Sequence, residues 1–253
     1  MRYHVVIPAR HASTRLPGKP LLEIAERPMV WHVCQRAYES AAHRVVVATD
    51  DQRVADAVGA FEGEVCMTGS HHQSGTDRIA EVAELMGWGD EELVVNLQGD
   101  EPLMPPAMLD LVALTLHEHP DASVATLGVP LHADEVFNSN AVKVVTDRHG
   151  MALYFSRAAI PWKRGEFEHG AADPQGMYRH LGLYAYRVGF LRRYVEWEPA
   201  PIERQESLEQ LRVLWQGERI AVAIAQQAPP AGIDTEEDYR RVLEHFQGSG
   251  NGR

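Results

Sequence analysis

The chain has 253 residues, 45% of them hydrophobic, with 36 acidic against 24 basic side chains and a formal net charge of −12. That length suits one large domain, or one domain with a substantial insertion. The acidic balance excludes a general nucleic-acid or anionic-membrane surface, which needs a basic face.

No apolar run approaches the ~18–20 residues of a membrane span. The short apolar start stops at Pro8 without a signal-peptide pattern, so the expected compartment is the cytoplasm. Tyr3–Pro8 reads as a buried strand. The loop after it holds Arg10, Arg15 and Lys19 with two hydroxyls and a glycine. The first 22 residues carry four Lys/Arg side chains and no acid, in a chain that is otherwise strongly acidic. Backbone N–H groups, Arg and Lys on a loop after a strand suit a polyphosphate.

Met29–Ser40 reads as a helix with Pro28 at its first turn. Arg44–Thr49 is a β-rich run, followed by Asp50-Asp51 as a cap and a helix to about residue 60. Glu64–Thr68 is a short strand, Thr76–Met86 a helix, Glu92–Leu97 a strand, Pro106–His119 a helix and Ala122–Val129 a strand. Cys34 and Cys66 lie in apolar stretches without metal or redox spacing, and are expected as buried free thiols. Apolar strands alternating with helices indicate an α/β, Rossmann-like, mainly parallel sheet flanked by helices.

The second half is less regular. Val142–Thr146 and Ala152–Phe155 can pair as a hairpin around Asp147–Gly150. Lys163–Tyr178, with four closely spaced turn residues, reads as a mobile loop. Gly182–Arg187 and Ile220–Ala225 are strand-like, and Leu208–Trp215 and Thr235–Phe246 helical. The expected organisation is one domain over residues 1–246. Its middle, about 130–225, is a smaller subdomain, and 247–253 is a disordered tail.

Ligands of open α/β sheets bind at the carboxyl ends of the strands. Two aspartates sit in such loops: Asp100 after Gln98-Gly99, and Asp234 after Gly232-Ile233. Asp234-Thr235-Glu236-Glu237 is also a good helix start, so Asp234 reads either as a helix cap or as a cation ligand. Should it face Asp100, the pair would suit Mg²⁺ with a nucleoside triphosphate. The chain has neither a Walker A sequence nor GxGxxG, which counts against ATPase, small-molecule kinase and dehydrogenase readings.

The stretch Pro8-Ala9-Arg10 through Ser13-Thr14-Arg15-Leu16-Pro17-Gly18-Lys19 resembles the signature loop of sugar-activating cytidylyltransferases. Within these, the chain is similar to the family that activates 3-deoxy-D-manno-octulosonate (KDO). Further matches are His72–Arg78, Asn96–Pro102, Leu153–Trp162, Arg179–Tyr186, Leu208–Arg212 and Gly232–Thr235. They run in order over nearly the whole chain. The 156–162 and 179–186 stretches are the most specific to the KDO branch.

The resemblance implies transfer of CMP from CTP to KDO with release of pyrophosphate, for lipopolysaccharide synthesis. It implies Mg²⁺ on Asp100 and Asp234, and a triphosphate clamp of Arg10, Arg15 and Lys19. Ala9, Arg10, Lys19, Gln73, Ser74 and Arg78 should bind the nucleotide. Gln98, Arg157, Arg164, His180, Tyr184, Glu209 and Gln210 should line the acid-sugar pocket. It also implies a homodimer formed through residues around 130–190. Arg157 reads alternatively as a structural salt-bridge residue, and His180 as a substrate hydrogen-bonder or, as the lesser alternative, a general base. Competing readings are a cytidylyltransferase for 8-amino-KDO or sialic acid, a metal-dependent glycosyltransferase, and an inactive nucleotide sensor.

Overall fold

The structure is a computed structural model that describes residues 1–12, 16–72, 74–167 and 173–250, with side chains omitted for 248–250. It divides into two compact units, residues 1–110 with 229–253 and residues 111–228. The second unit is longer than the subdomain expected from the sequence.

In chain order the first unit holds β1 (Tyr3–Pro8), β2 (Glu23–Ile24), β3 (Arg27–Pro28), α1 (Met29–Tyr38), β4 (Arg44–Thr49), α2 (Gln52–Gly59), β5 (Glu64–Met67), α3 (Gly75–Leu85) and β6 (Leu93–Asn96). Helix α4 (Pro106–Glu118) follows. Strands β6, β1, β4 and β5 lie side by side, all parallel, with Val6 opposite Val46 and Asn96. Val5, Val6, Ile7, Val46 and Val95 are fully or almost fully buried. Burial on both faces is why these strands read as continuous apolar runs rather than alternating ones. Helix starts follow the cap chemistry of the sequence: the Asp51 side chain accepts from the Arg53 N–H at 2.9 Å, and Ser74 forms a reciprocal capping box with Asp77. Cys34 and Cys66 are buried and free, and burial pushes the Cys34 thiol up to about 12.

The second unit contains β7 (Val124–Pro130), β8 (Lys143–Thr146), β9 (Ala152–Ser156), β10 (Tyr178–Arg187), α5 (Val188–Tyr194), α6 (Pro201–Glu206), α7 (Gln210–Trp215) and β11 (Ile220–Ile224). Strand β7 is parallel to β11 and antiparallel to β10. The expected β8–β9 hairpin forms, with Val144 opposite Phe155. Strand β10 is longer than the sequence indicated and takes up the end of the expected loop from Tyr178; residues 168–172 of that loop lie outside the described residues.

The last helix, α8 (Glu236–Gly250), belongs to the first unit. It continues through 247–250, where the sequence predicts a disordered tail. Residues 251–253 lie outside the described residues. No helix of the described residues is long and apolar enough to cross a membrane.

Candidate active site

The candidate residues fall into two groups, one in each unit. In the first unit the loops after β1 and β6 approach very closely. A Cβ on Gly99 would lie 2.7 Å from the Pro8 carbonyl oxygen and 3.6 Å from the Ala9 Cα, so only glycine fits there. Ala9 is buried and its N–H donates to the Ala48 carbonyl at 2.9 Å. The chain before α8 is tied to the same place: the Ile233 N–H donates to the Asp100 carbonyl at 2.9 Å.

These backbone approaches bring three distant stretches together. Lys19 Nζ donates to Asp100 Oδ2 at 2.6 Å and to Asp234 Oδ1 at 3.1 Å. Asp234 is not the helix cap. Thr235 is: its Oγ1 accepts from the Asp238 N–H at 3.2 Å, and Asp238 accepts from the Thr235 N–H at 2.9 Å. The two carboxylates thus converge on one cation, as hard oxygen ligands for Mg²⁺ must, so the donor set fits that ion. Beside them, burial and then the Asp100 charge push the Glu101 carboxyl up to about 8, and its Oε2 has no partner among the described residues.

Arg10 donates to the His72 carbonyl. Ser74 is committed to the cap of α3. Arg78 is fully buried, pairing with Asp50 at 3.0 Å and with the Thr68 hydroxyl; its Nε has no partner among the described residues. Gln98 stands two residues past the end of β6 in this unit, and its carbonyl accepts from the Glu101 N–H at 3.2 Å. Arg15 and Gln73 lie outside the described residues.

In the second unit His180 on β10 lies 5.0 Å from the Phe155 ring and 5.4 Å from the Tyr184 ring, centroid to centroid. Its Nε2 is 3.0 Å from Thr126 Oγ1, while that hydroxyl lies 3.0 and 2.8 Å from the Leu181 and Leu183 carbonyls. The single Thr126 proton goes to a carbonyl, so Thr126 accepts from His180 Nε2–H and leaves Nδ1 as an acceptor. Desolvation pushes this imidazole down to about 3, so it is neutral at ordinary pH. Tyr184 stacks on Tyr186 at 5.8 Å, and burial, then the neighbouring Tyr186 and Glu209, raises its phenol well above the usual range.

Glu209 accepts from the Tyr194 hydroxyl at 2.8 Å. Gln210, at the start of α7, is buried, and its Nε2 has no partner among the described residues. An unpartnered buried amide costs free energy unless a ligand satisfies it. Arg164 is exposed on a turn.

Arg157 is tied into the surrounding backbone. Its guanidinium donates to three carbonyls: Glu206 at 2.6 Å, Ser139 at 3.1 Å and Ser207 at 3.3 Å. Two of its five N–H groups have no partner among the described residues. Tyr186 and Tyr194 were missed by the sequence reading, although both stand among aromatic residues in and after the 179–186 stretch. Lys143, a charge inside an apolar strand, was missed as well.

The cytidylyltransferase family profile matches residues 4–220. A 3-deoxy-manno-octulosonate cytidylyltransferase of Vibrio vulnificus (strain CMCP6) is 56% identical over 246 residues, covering 96% of this chain and 98% of the relative. One from Idiomarina loihiensis is 57% identical over 249 residues, with 96% and 97% covered. A solved CMP:2-keto-3-deoxy-manno-octonic acid synthetase complexed with CTP superposes with a TM-score of 0.89 at 39% identity, covering 98% of this chain and 100% of that one. With its full-length match to these relatives and the cytidylyltransferase profile across both units, the chain belongs to the 3-deoxy-manno-octulosonate cytidylyltransferase family.

Proposed function

We propose that this chain transfers CMP from CTP to the anomeric hydroxyl of KDO, giving CMP-KDO and pyrophosphate. The observation that carries the reading is the convergence of Lys19, Asp100 and Asp234 in a chain 56% identical, over nearly its whole length, to a named KDO cytidylyltransferase.

The anomeric oxygen forms a bond to the α-phosphorus as the bridging bond to pyrophosphate breaks, and the hydroxyl proton is released to solvent. Arg10, Arg15 and Lys19 neutralise the charge that grows on the leaving group. Ala9, Gln73, Ser74 and Arg78 surround the cytidine. Asp100 and Asp234 would hold Mg²⁺, which when bound neutralises phosphoryl oxygens and favours ionisation of the attacking hydroxyl.

KDO is a polyhydroxylated carboxylate. Gln98, Tyr184, Glu209 and Gln210 supply donors and acceptors for its hydroxyls, and Arg157 and Arg164 supply charge for its carboxylate. His180 accepts a substrate hydrogen bond through Nδ1. An imidazole pushed down to about 3 holds a proton too weakly to serve as the general base. The same reading places the enzyme in the cytoplasm, in lipopolysaccharide precursor synthesis, as a homodimer joined around residues 130–190.

The test is pyrophosphate release measured with each nucleoside triphosphate against KDO, 8-amino-KDO and sialic acid. CTP with KDO should dominate. Equal turnover with ATP, or preference for another acid, would refute the substrate assignment.

A further inference from the structure

Lys143 stands in β8 between Ala141-Val142 and Val144-Val145 and is 0% exposed. A lysine so placed is rare unless its charge is fully hydrogen-bonded. Here all three ammonium protons have acceptors: the carbonyls of Asn138 at 2.7 Å, Ala141 at 2.7 Å and Arg157 at 2.9 Å. Burial lowers its pKa from the ordinary lysine value, and the Glu135 and Glu206 carboxylates oppose that shift.

Those bonds lead to a small closed network. The Glu206 carboxylate accepts from Ser156 Oγ at 2.6 Å and from the Arg157 N–H at 3.0 Å. The Arg157 guanidinium returns to the Glu206, Ser139 and Ser207 carbonyls. Ser207 ends α6 in the left-handed conformation at φ 51°, and the chain then passes directly into Leu208, Glu209 and Gln210. One ammonium therefore ties the 138–141 turn to the end of β9, and Arg157 ties both to the chain entering α7.

We propose that Lys143 is a positioning residue for the acid-sugar pocket, setting where Arg157 and the Glu209-Gln210 segment stand without touching the sugar itself. This rests on the KDO reading given above. An apolar residue in its place would take this donor from the Ala141 and Arg157 carbonyls and leave the Asn138 carbonyl with the Ala141 N–H alone, and that loss would be relieved by movement of the 156–158 and 206–210 segments. Misplacement by about 1 Å can cost on the order of 10²-fold in a positioned reaction. The nucleotide group lies in other stretches of sequence, so the effect should fall on one substrate.

The experiment compares Lys143→Met and Lys143→Arg with wild type by steady-state kinetics, varying KDO and CTP separately, alongside thermal midpoints. The expected result for Lys143→Met is a KM for KDO raised about tenfold or more, with KM for CTP unchanged. Lys143→Arg, which keeps the charge and the donors, should recover part of the loss. A residue that served only stability would lower the active fraction, and hence the apparent kcat, and leave both KM values alone; that result overturns the proposal. Should Lys143→Met fail to fold, Glu206→Gln reads the same network from its other side. It keeps the Lys143 bonds but weakens the hold on Ser156 and Arg157, and an unchanged KM for KDO there also overturns the proposal. Wild-type enzyme that does not turn over KDO would instead refute the functional reading itself.

Discussion

Asp234→Asn separates two roles that the sequence leaves entangled. In the structure the cap of α8 is made by Thr235 and Asp238, and the Asp234 carboxylate turns to Lys19. The Asp234 side chain is 53% exposed, and ion pairs of such exposure contribute at most about 1 kcal/mol. Asp234→Asn should therefore lower the thermal midpoint little. If Asp234 holds the metal, the same change removes charge needed mainly in the transition state, and kcat should fall by roughly 10²-fold or more. Thr235→Ala should behave in the opposite way. It removes an N-cap worth about 1 kcal/mol, a fall of roughly 2–4 °C for a chain of this size, with near-normal kcat. The assay is pyrophosphate release under saturating CTP and KDO, with melting followed on the same preparations. Near wild-type kcat in Asp234→Asn, combined with a clear loss of melting temperature, would refute both the cap assignment and the metal role.

Arg157→Ala should raise KM for KDO roughly 10–100-fold, as expected for loss of a charge-assisted bond, with little change in KM for CTP; kinetics with each substrate varied in turn checks it, and a shift confined to CTP would count against this placement. His180 should show no NMR titration between about pH 5 and 8, because its folded pKa lies near 3, below the ordinary histidine value. By the same linkage, the unfolded chain takes up a proton there first, so stability should fall as pH drops from about 6.5 toward 3, and His180→Asn should flatten that part of the curve. Gly99→Ala places a Cβ against backbone at Pro8, and should cost about 1–3 kcal/mol in thermal stability and raise KM for CTP by displacing the loop after β1. An unchanged melting temperature would show that the loops can separate freely.

The sequence by itself determined the parts of this protein that depend on neighbours along the chain. Apolar runs at Tyr3–Pro8, Arg44–Thr49 and around Val94–Val95 become β1, β4 and β6 because strands buried on both faces need continuous apolar side chains. Asp51 caps α2 as its position announces. Short helices α5 and α6 left no comparable trace, since a helix of six or seven residues gains its stability from packing rather than propensity. The basic loop and the two aspartates were legible as chemistry, and the family resemblance supplied their roles.

Only the tertiary structure decided which side chain does what. Asp234 and Thr235 both fit a helix start, and the choice falls to Thr235 because the Ile233–Asp100 backbone bond brings Asp234 to Lys19. Arg157 fits substrate or scaffold by sequence, and its three carbonyl partners come from residues 139, 206 and 207, far from it in the chain. Lys143 carried only the weak signal of a charge in an apolar run. Its meaning depends on a turn that folds the Asn138 and Ala141 carbonyls back onto it and on the Arg157 carbonyl of the next strand's end, and such side-chain-to-backbone bonds leave no periodicity to read.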